Sequence, residues 1–340
     1  MVGISVAILA LFGAGEAVHR IWRVPTEYTR KLAHVGGGAV VMTLPWTLSS
    51  HWTVLLLCLA FFGILVGGRV TGLLGSVHGV ERTTGGAYFY PFAVYGSWLL
   101  SRGDALLFCV PMAVMAIADT GAAIVGKHAG ETRYRVMDGM RSLEGSLTFF
   151  SLAFAIFLAG LAMDGRGGWP GVLLVALIGA VVTTCVEAIS VRGADNLFIP
   201  YGGFLVLDRM LRLGLAEMGA WIEGMIVALA AVVLTWRFAR MSPAGGLASF
   251  LFATLAWALG GPAWFGPLGA LAVLLVLARD PGQALELEDV FPSLVGSVLV
   301  VLAFAHSGAG EAAMGWYLPF LVTAAANGAI GMAVVGRGRR

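Results

Sequence analysis

The densest chemistry in this chain lies between Ile117 and Phe150, which reads IADTGAAIVGKHAG, ETRYRVMDGM and RSLEGSLTFF. Asp119 stands near the end of an apolar run and is followed by small residues, including Gly126 and Gly130. Gly126 is seven residues on from Asp119, so the two share a helix face. The Gly126–Gly130 pair lets a second backbone or a ligand approach closely. A lone ionised acid in hydrocarbon costs about 2.5–3.5 kcal/mol at helix centre, less near the interface. One purpose that repays this is a carboxylate holding a divalent cation beside phosphates, because Mg²⁺ is bound by one or two carboxylates plus substrate oxygens. The other is a packing face with an acid that snorkels.

Lys127, Arg133, Arg135 and Arg141 follow within one loop. Arg141 abuts Ser142, Glu144, Gly145 and Ser146, a turn whose backbone N–H groups open the next helix and form a natural phosphate site. Glu144 is then a second metal ligand or an orienting base; equally, Ser142 and Glu144 suit a helix cap. Glu187 is a second acid inside an apolar run, followed by Asp195, Asn196 and Pro200. An acid there is a functional group by default, or a structural partner of Arg192. Arg30 and His34 are four residues apart on one helical face, with Lys31 between them. Arg82 precedes TTGG and YFYP, within reach of a phosphate or as a plain loop cation. No GxxxxGK[ST] loop, GxSxG elbow or HExxH pair occurs, which excludes a P-loop NTPase and the commonest hydrolase signatures.

These groups must be positioned by an unusual chain. Of its 340 residues 59% are hydrophobic and 12% charged, with mean hydropathy +0.89; soluble proteins carry about 25% charged residues. Most of the chain is therefore solvated by lipid. A net charge of +2 is too small to suggest nucleic acid, and none is expected as a partner. Cys58, Cys109 and Cys185 all lie in apolar runs without metal spacing. The first apolar run lacks a basic n-region and a cleavage site, and reads as a retained span.

Apolar segments fall at about 3–22, 32–49, 51–69, 87–101, 104–126, 146–163, 169–190, 196–213, 219–238, 243–260, 264–279, 290–306 and 314–335. The expected fold is thus an all-α polytopic membrane bundle of about thirteen transmembrane segments, a multi-pass protein of the cytoplasmic membrane if its source is a bacterium. Segments 87–101, 196–213 and 264–279 are short for a span of about 20 residues. Pro91 threatens the first of these, and the second suits a re-entrant segment. With the N-terminus outside and the C-terminus inside, seventeen of the 21 lysines and arginines face the cytoplasm. Only Arg102, Arg166, Arg209 and Arg212 face the other side, as the positive-inside rule requires. RKLAH, HGVERTTGG, the 127–146 loop and EAISVRGADN then share the cytoplasmic face. The chain turns to ordinary Leu/Ala/Val/Gly helices after about Arg212, which places a boundary near 215. Residues 1–215 hold the site; 216–340 are additional helices, whose roles include a lipid-facing wall or a homodimer surface.

The order RKLAH, ERTTGGAYFYP, ADTGAAIVGKHAG, RSLEGS and VEAIS…GADNLFIP resembles the phytol kinase and dolichol kinase family. Arg30, Lys31 and His34 match its Arg-Lys-x-x-His entry. Asp119, Ala122, Gly126 and Gly130 match its Asp-x-x-Ala…Gly…Gly block. Ser142, Glu144, Gly145 and Ser146 match its Ser-x-Glu-Gly-Ser block, and Glu187, Asp195, Asn196 and Pro200 its late acidic motif. Arg141 stands where the family usually has lysine. The resemblance covers about residues 20–210. It implies transfer of the CTP γ-phosphate to a long isoprenoid alcohol lying among membrane lipids.

In that reading Asp119, with Glu144 or Glu187, holds Mg²⁺. Lys127, Arg141, Ser142, Ser146, Arg82 and the glycines Gly126, Gly130 and Gly145 surround the nucleotide. Arg30, Lys31, His34 and Asn196 meet the alcohol, and Asp195 or Glu187 accepts its proton. A CTP-dependent lipid cytidylyltransferase is the alternative of nearest chemistry, releasing pyrophosphate in place of CDP. A transporter is the alternative of another class, but its polar residues would continue through the midplane.

Overall fold

A computed structural model describes residues 2–71, 85–136, 139–239, 241–261 and 264–266. Helices account for nearly all of it. In chain order they are α1 (Val2–Trp22), α2 (Thr26–Met42), the single turn α3 (Leu44–Thr47), α4 (His51–Thr71), α5 (Gly86–Ser101) and α6 (Ala105–Ala113). A π-helical segment (Val114–Ala118) leads into α7 (Asp119–Ala129). The hairpin β1 (Arg133–Val136) and β2 (Gly139–Ser142) then precedes α8 (Leu143–Asp164), α9 (Trp169–Ile189), α10 (Asp195–Met210), α11 (Leu215–Ala239) and α12 (Pro243–Gly260).

Local chemistry fixes many of these ends. Asp104 caps α6 by accepting from the Leu107 N–H (3.2 Å), and Ser142 caps α8 by accepting from Gly145 (3.1 Å). Ser242 caps α12 in the same way, with Pro243 at the first helical position. Each oxygen satisfies one of the four N–H groups that a helix start leaves unpaired. Gly165, at φ 74°, closes α8 in the left-handed conformation that glycine adopts without penalty.

Among the described residues, six helical stretches are long and apolar enough to cross a membrane: Val2–Trp22, His51–Thr71, Ala105–Ala129, Leu143–Asp164, Trp169–Ile189 and Leu215–Trp236. Their outward faces carry large apolar side chains such as Leu9, Leu56, Leu59, Leu147, Leu173 and Ile226. Such faces need a hydrocarbon solvent, so the chain is an integral membrane protein.

Of the thirteen expected segments, 290–306 and 314–335 lie outside the described residues, as does 264–279 beyond residue 266. The segment expected at 32–49 differs in kind: α2 begins earlier, at Thr26, and the chain breaks at Thr43 before Pro45. Its first two turns are polar, which a hydropathy reading leaves out. Helix α5 continues through Pro91, and α10 is a 16-residue helix through Pro200. Their neighbours bury both prolines.

The chain divides into two compact units, 1–133 with 142–213, and 134–141 with 214–340. In the first, α9 packs between α8 and α10, α10 packs on α5, α5 on α4, α1 on α2 and α7 on α8. Its core holds Phe108, Phe149, Phe157, Ile178, Ile199 and Leu207, all fully buried. In the second, α11 packs on α12. The Trp257 indole lies so close to Gly224 that a Cβ there would fall 2.2 Å from its ring.

Candidate functional site

The site is built where the start of α2 meets the π segment and α7. Asp119 is 8% exposed and opens α7 directly after the π turn. Its Oδ2 accepts from Lys31 Nζ at 2.7 Å. His34, one turn further along α2, brings Nε2 to 3.8 Å from the same oxygen and to 3.1 Å from the Met115 carbonyl. π turns occur mostly as single insertions, often at functional sites, because they shift the carbonyl ladder by one residue. Here the π segment presents a carbonyl to the ring. Gly38 makes this approach possible: a Cβ there would sit 2.5 Å from the Ala116 Cβ. At the outer edge Lys127 pairs with Glu27 and lies over the Tyr28 ring, whose hydroxyl meets His128 at 2.9 Å.

A second cluster joins α2, α5 and α10. Asn196 donates from Nδ2 to the Gly86 carbonyl at 2.9 Å, and the Gly85 N–H donates to Arg192 O at 2.8 Å. Gly193, at φ 85°, lies directly against Gly86; a Cβ would fall 2.3 Å from the Gly86 nitrogen. The Arg30 guanidinium covers the same glycine, 3.4 Å from where its Cβ would be. Gly85 and Gly86 therefore form one wall with the GADN motif, about a hundred residues on, and with Arg30. The backbone N–H of Asn196 is held by the Asp195 carboxylate at 2.9 Å.

A third cluster is the crossing of α7 and α8. A Cβ on Gly126 would lie 2.9 Å from Ser142 Oγ and 3.5 Å from the Gly145 Cα. One on Gly145 would lie 3.1 Å from the Ala122 carbonyl, and one on Gly130 2.2 Å from the Gly126 carbonyl. These glycines let the two helices touch backbone to backbone. Ser142 caps α8, and Glu144 Oε1 accepts from the Thr132 N–H at 3.0 Å. The capping alternative thus has direct geometry for Ser142, whereas Glu144 holds the loop at Thr132 and not the start of α8. Glu144 Oε2, however, is buried with no hydrogen-bond partner among the described residues.

The remaining expected residues are placed as follows. Arg141 is on β2 next to Ser142, and Ser146 lies in the first turn of α8. Glu187 is 3% exposed near the end of α9, and Asp195 opens α10. Arg82 lies outside the described residues. Among the described residues no three His, Cys, Asp or Glu side chains gather as a ready-made metal cage.

Beside the first two clusters an apolar cavity runs between α1, α2, α4 and α5. Leu11, Phe12, Val41, Leu57, Phe61 and Leu65 form its walls, and its polar side chains are Arg30, His34, Tyr90 and Asn196. Tyr90 was not singled out by the sequence, because an aromatic within an apolar run carries no spacing signal. Its position four residues after Gly86 is the one cue available.

An integral membrane bundle with a buried Asp–Lys pair, a basic and glycine-rich surround and an adjoining apolar cavity suits a membrane-embedded enzyme. The chain is 31% identical over 208 residues to the phytol kinase of Synechocystis sp. (strain PCC 6803), a match spanning 60% of this chain and 89% of the relative. It belongs to the phytol kinase family. No family model matches the chain, and no solved structure does.

Proposed function

We propose that the chain transfers the γ-phosphate of CTP to the hydroxyl of a long-chain isoprenoid alcohol, at the cytoplasmic face of the membrane. The observation that carries this reading is the Asp119–Lys31 pair, set in a motif order shared with a kinase family and opening beside an apolar cavity. A greasy alcohol explains why such a site belongs inside a bilayer. Phosphoryl transfer asks little covalent chemistry of a protein; it asks for in-line placement and charge neutralisation.

The alcohol oxygen bonds to the γ-phosphorus, the bond from that phosphorus to the β–γ bridging oxygen breaks, CDP leaves, and the hydroxyl proton passes to a base. Lys31 and Lys127 face the phosphates from α2 and α7, with Arg141 and the first-turn N–H groups of α8 as further donors. The Ser142 hydroxyl keeps that turn formed. The donor set suits a hard divalent cation, because Asp119 and the unpartnered Glu144 Oε2 are carboxylate oxygens and phosphates complete such a shell. Glu187 is the third acid proposed for it. Mg²⁺ bound there would neutralise the developing phosphate charge.

The test uses purified full-length protein in nanodiscs, CTP labelled at the γ-phosphate, and a panel of prenols with and without Mg²⁺. Labelled prenyl phosphate and unlabelled CDP are expected. Release of pyrophosphate with a cytidylyl-lipid product would establish the cytidylyltransferase instead, and equal turnover with ATP or GTP would remove CTP as the particular donor.

A further inference from the structure

We propose that the apolar cavity between α1, α2, α4 and α5 seats the acceptor's hydrocarbon chain, and that Tyr90 and His34 together hold its hydroxyl. Tyr90 donates a hydrogen bond to the alcohol oxygen, and His34 Nδ1 takes the proton as the oxygen attacks. This rests on the kinase reading and names the acceptor side of the same site.

Two polar groups carry the argument, in a cavity whose other polar side chains, Arg30 and Asn196, lie against the Gly86 wall. Tyr90 is buried, and its hydroxyl has no hydrogen-bond partner among the described residues. Leaving a buried hydroxyl unpaired costs about 1–3 kcal/mol, a cost that a ligand oxygen removes. The ring stands edge-on to His34, centroids 5.7 Å apart, so one small polar group can meet both.

His34 has a defined tautomer. Its Nε2 faces the Met115 carbonyl, which can only accept, so Nε2 carries the hydrogen. In the neutral ring Nδ1 is then the nitrogen with the bare lone pair. The same Nε2 lies 3.8 Å from Asp119 Oδ2, so both of its neighbours are acceptors and hold the ring in this orientation.

The order of groups along α2 sets the direction of the chain. Arg30 and Asn196 lie at one level, and His34 lies one turn, about 5.4 Å, further into the apolar region. Lys31 and Asp119 are beside His34. A linear apolar chain ending in a hydroxyl fits this arrangement, its hydrocarbon against Phe61 and Leu57 and its oxygen facing the phosphate side.

The experiment has two arms. In the first, a prenol carrying a diazirine at its hydrocarbon end is photolysed with the full chain in nanodiscs, without nucleotide. Labelling of α1 or α4 at Phe12, Leu57 or Phe61, displaced by excess prenol, is expected; labelling confined to α8 and α9, or not displaced, overturns the cavity assignment. In the second, prenol phosphorylation is compared among wild type, Tyr90→Phe and His34→Gln.

Tyr90→Phe should raise the prenol KM about 10-fold, leave the nucleotide KM alone, and lose discrimination against the hydrocarbon lacking its hydroxyl. His34→Gln should lower kcat about 100-fold, the scale of general-base catalysis, while still being photolabelled in the cavity. Unchanged KM in the first variant or unchanged kcat in the second overturns the corresponding role. Labelling of the wild type without phosphate transfer from any nucleotide would sink the kinase reading and the roles given to the hydroxyl, and leave the cavity as a prenol site. Transfer without cavity labelling would do the reverse.

Discussion

Asp119 Oδ2 lies 2.7 Å from Lys31 Nζ, so an acid in the third apolar span is tied to a base in the second turn of α2. Both side chains are mostly shielded, at 12% and 22% exposure. Removing one partner of a shielded pair leaves the other uncompensated, at about 3–5 kcal/mol in a fully buried case. Asp119→Asn is expected to abolish prenol phosphorylation, and Lys31→Met to reduce it about 100-fold or more. The double variant should be no less active than Asp119→Asn alone, because groups acting as a unit are not additive. Additive losses in a turnover assay would show the two residues acting separately.

The α7–α8 crossing predicts a stability effect of defined sign. In an exposed helix Gly→Ala gains about 1 kcal/mol. At Gly145 the new methyl would meet the Ala122 carbonyl at 3.1 Å, and backbone cannot swing aside. Gly145→Ala should therefore lower the unfolding temperature in detergent, by an amount equivalent to about 1–3 kcal/mol of overpacking. Ser142→Ala removes the α8 cap and should cost about 1 kcal/mol. An unchanged melting temperature for Gly145→Ala would mean the helices do not touch there.

The far loops offer a pH test away from the site. Arg166 binds Asp104 through two bonds, of 2.7 and 3.0 Å, and also pairs with Asp164. Those Arg166 hydrogen bonds, followed by the Leu107 N–H, hold the Asp104 carboxyl below its ordinary value. A depressed acid contributes stability above its unfolded pKa, about 3.9, and loses it as pH falls through the folded value. Asp104→Asn keeps the cap and removes the charge. It should cost about 0.5–1 kcal/mol near pH 7, the scale of an exposed pair, and the difference should vanish well below pH 4. A constant difference down to pH 3 in thermal melts would contradict this.

How much of this was legible beforehand depends on what each residue signals. The segment expected at 243–260 coincides with α12, because Ser242, Pro243 and a long apolar run state a start and a length. The motif order placed the chain in its family although each motif alone is loose. The early start of α2 was hidden, since Thr26 to Lys31 is polar and precedes the apolar run, although Arg30 and His34 already have the spacing of one helical face; Asp119 and Lys127 lie opposite it. Gly126 and Gly145 announce a close approach, but spacing does not say that each faces the other helix. Tyr90 depends on a contact with His34 in another helix, and Gly193 on one with Gly86 across more than a hundred residues and on a backbone angle; no local pattern encodes either.

Gly193 supplies the last test. Its φ of 85° is strained for any L side chain, and a methyl there would fall 2.3 Å from the Gly86 nitrogen. Gly193→Ala therefore pushes the loop before α10 off the start of α5 and breaks the wall that Asn196 and Arg30 complete. That wall borders the cavity rather than the Asp119–Lys31 pair. The expected result is a prenol KM raised about 10-fold or more with a nucleotide KM close to wild type, measured by steady-state phosphorylation. A rise in nucleotide KM alone would move the Gly86–Gly193 wall to the phosphate side of the site.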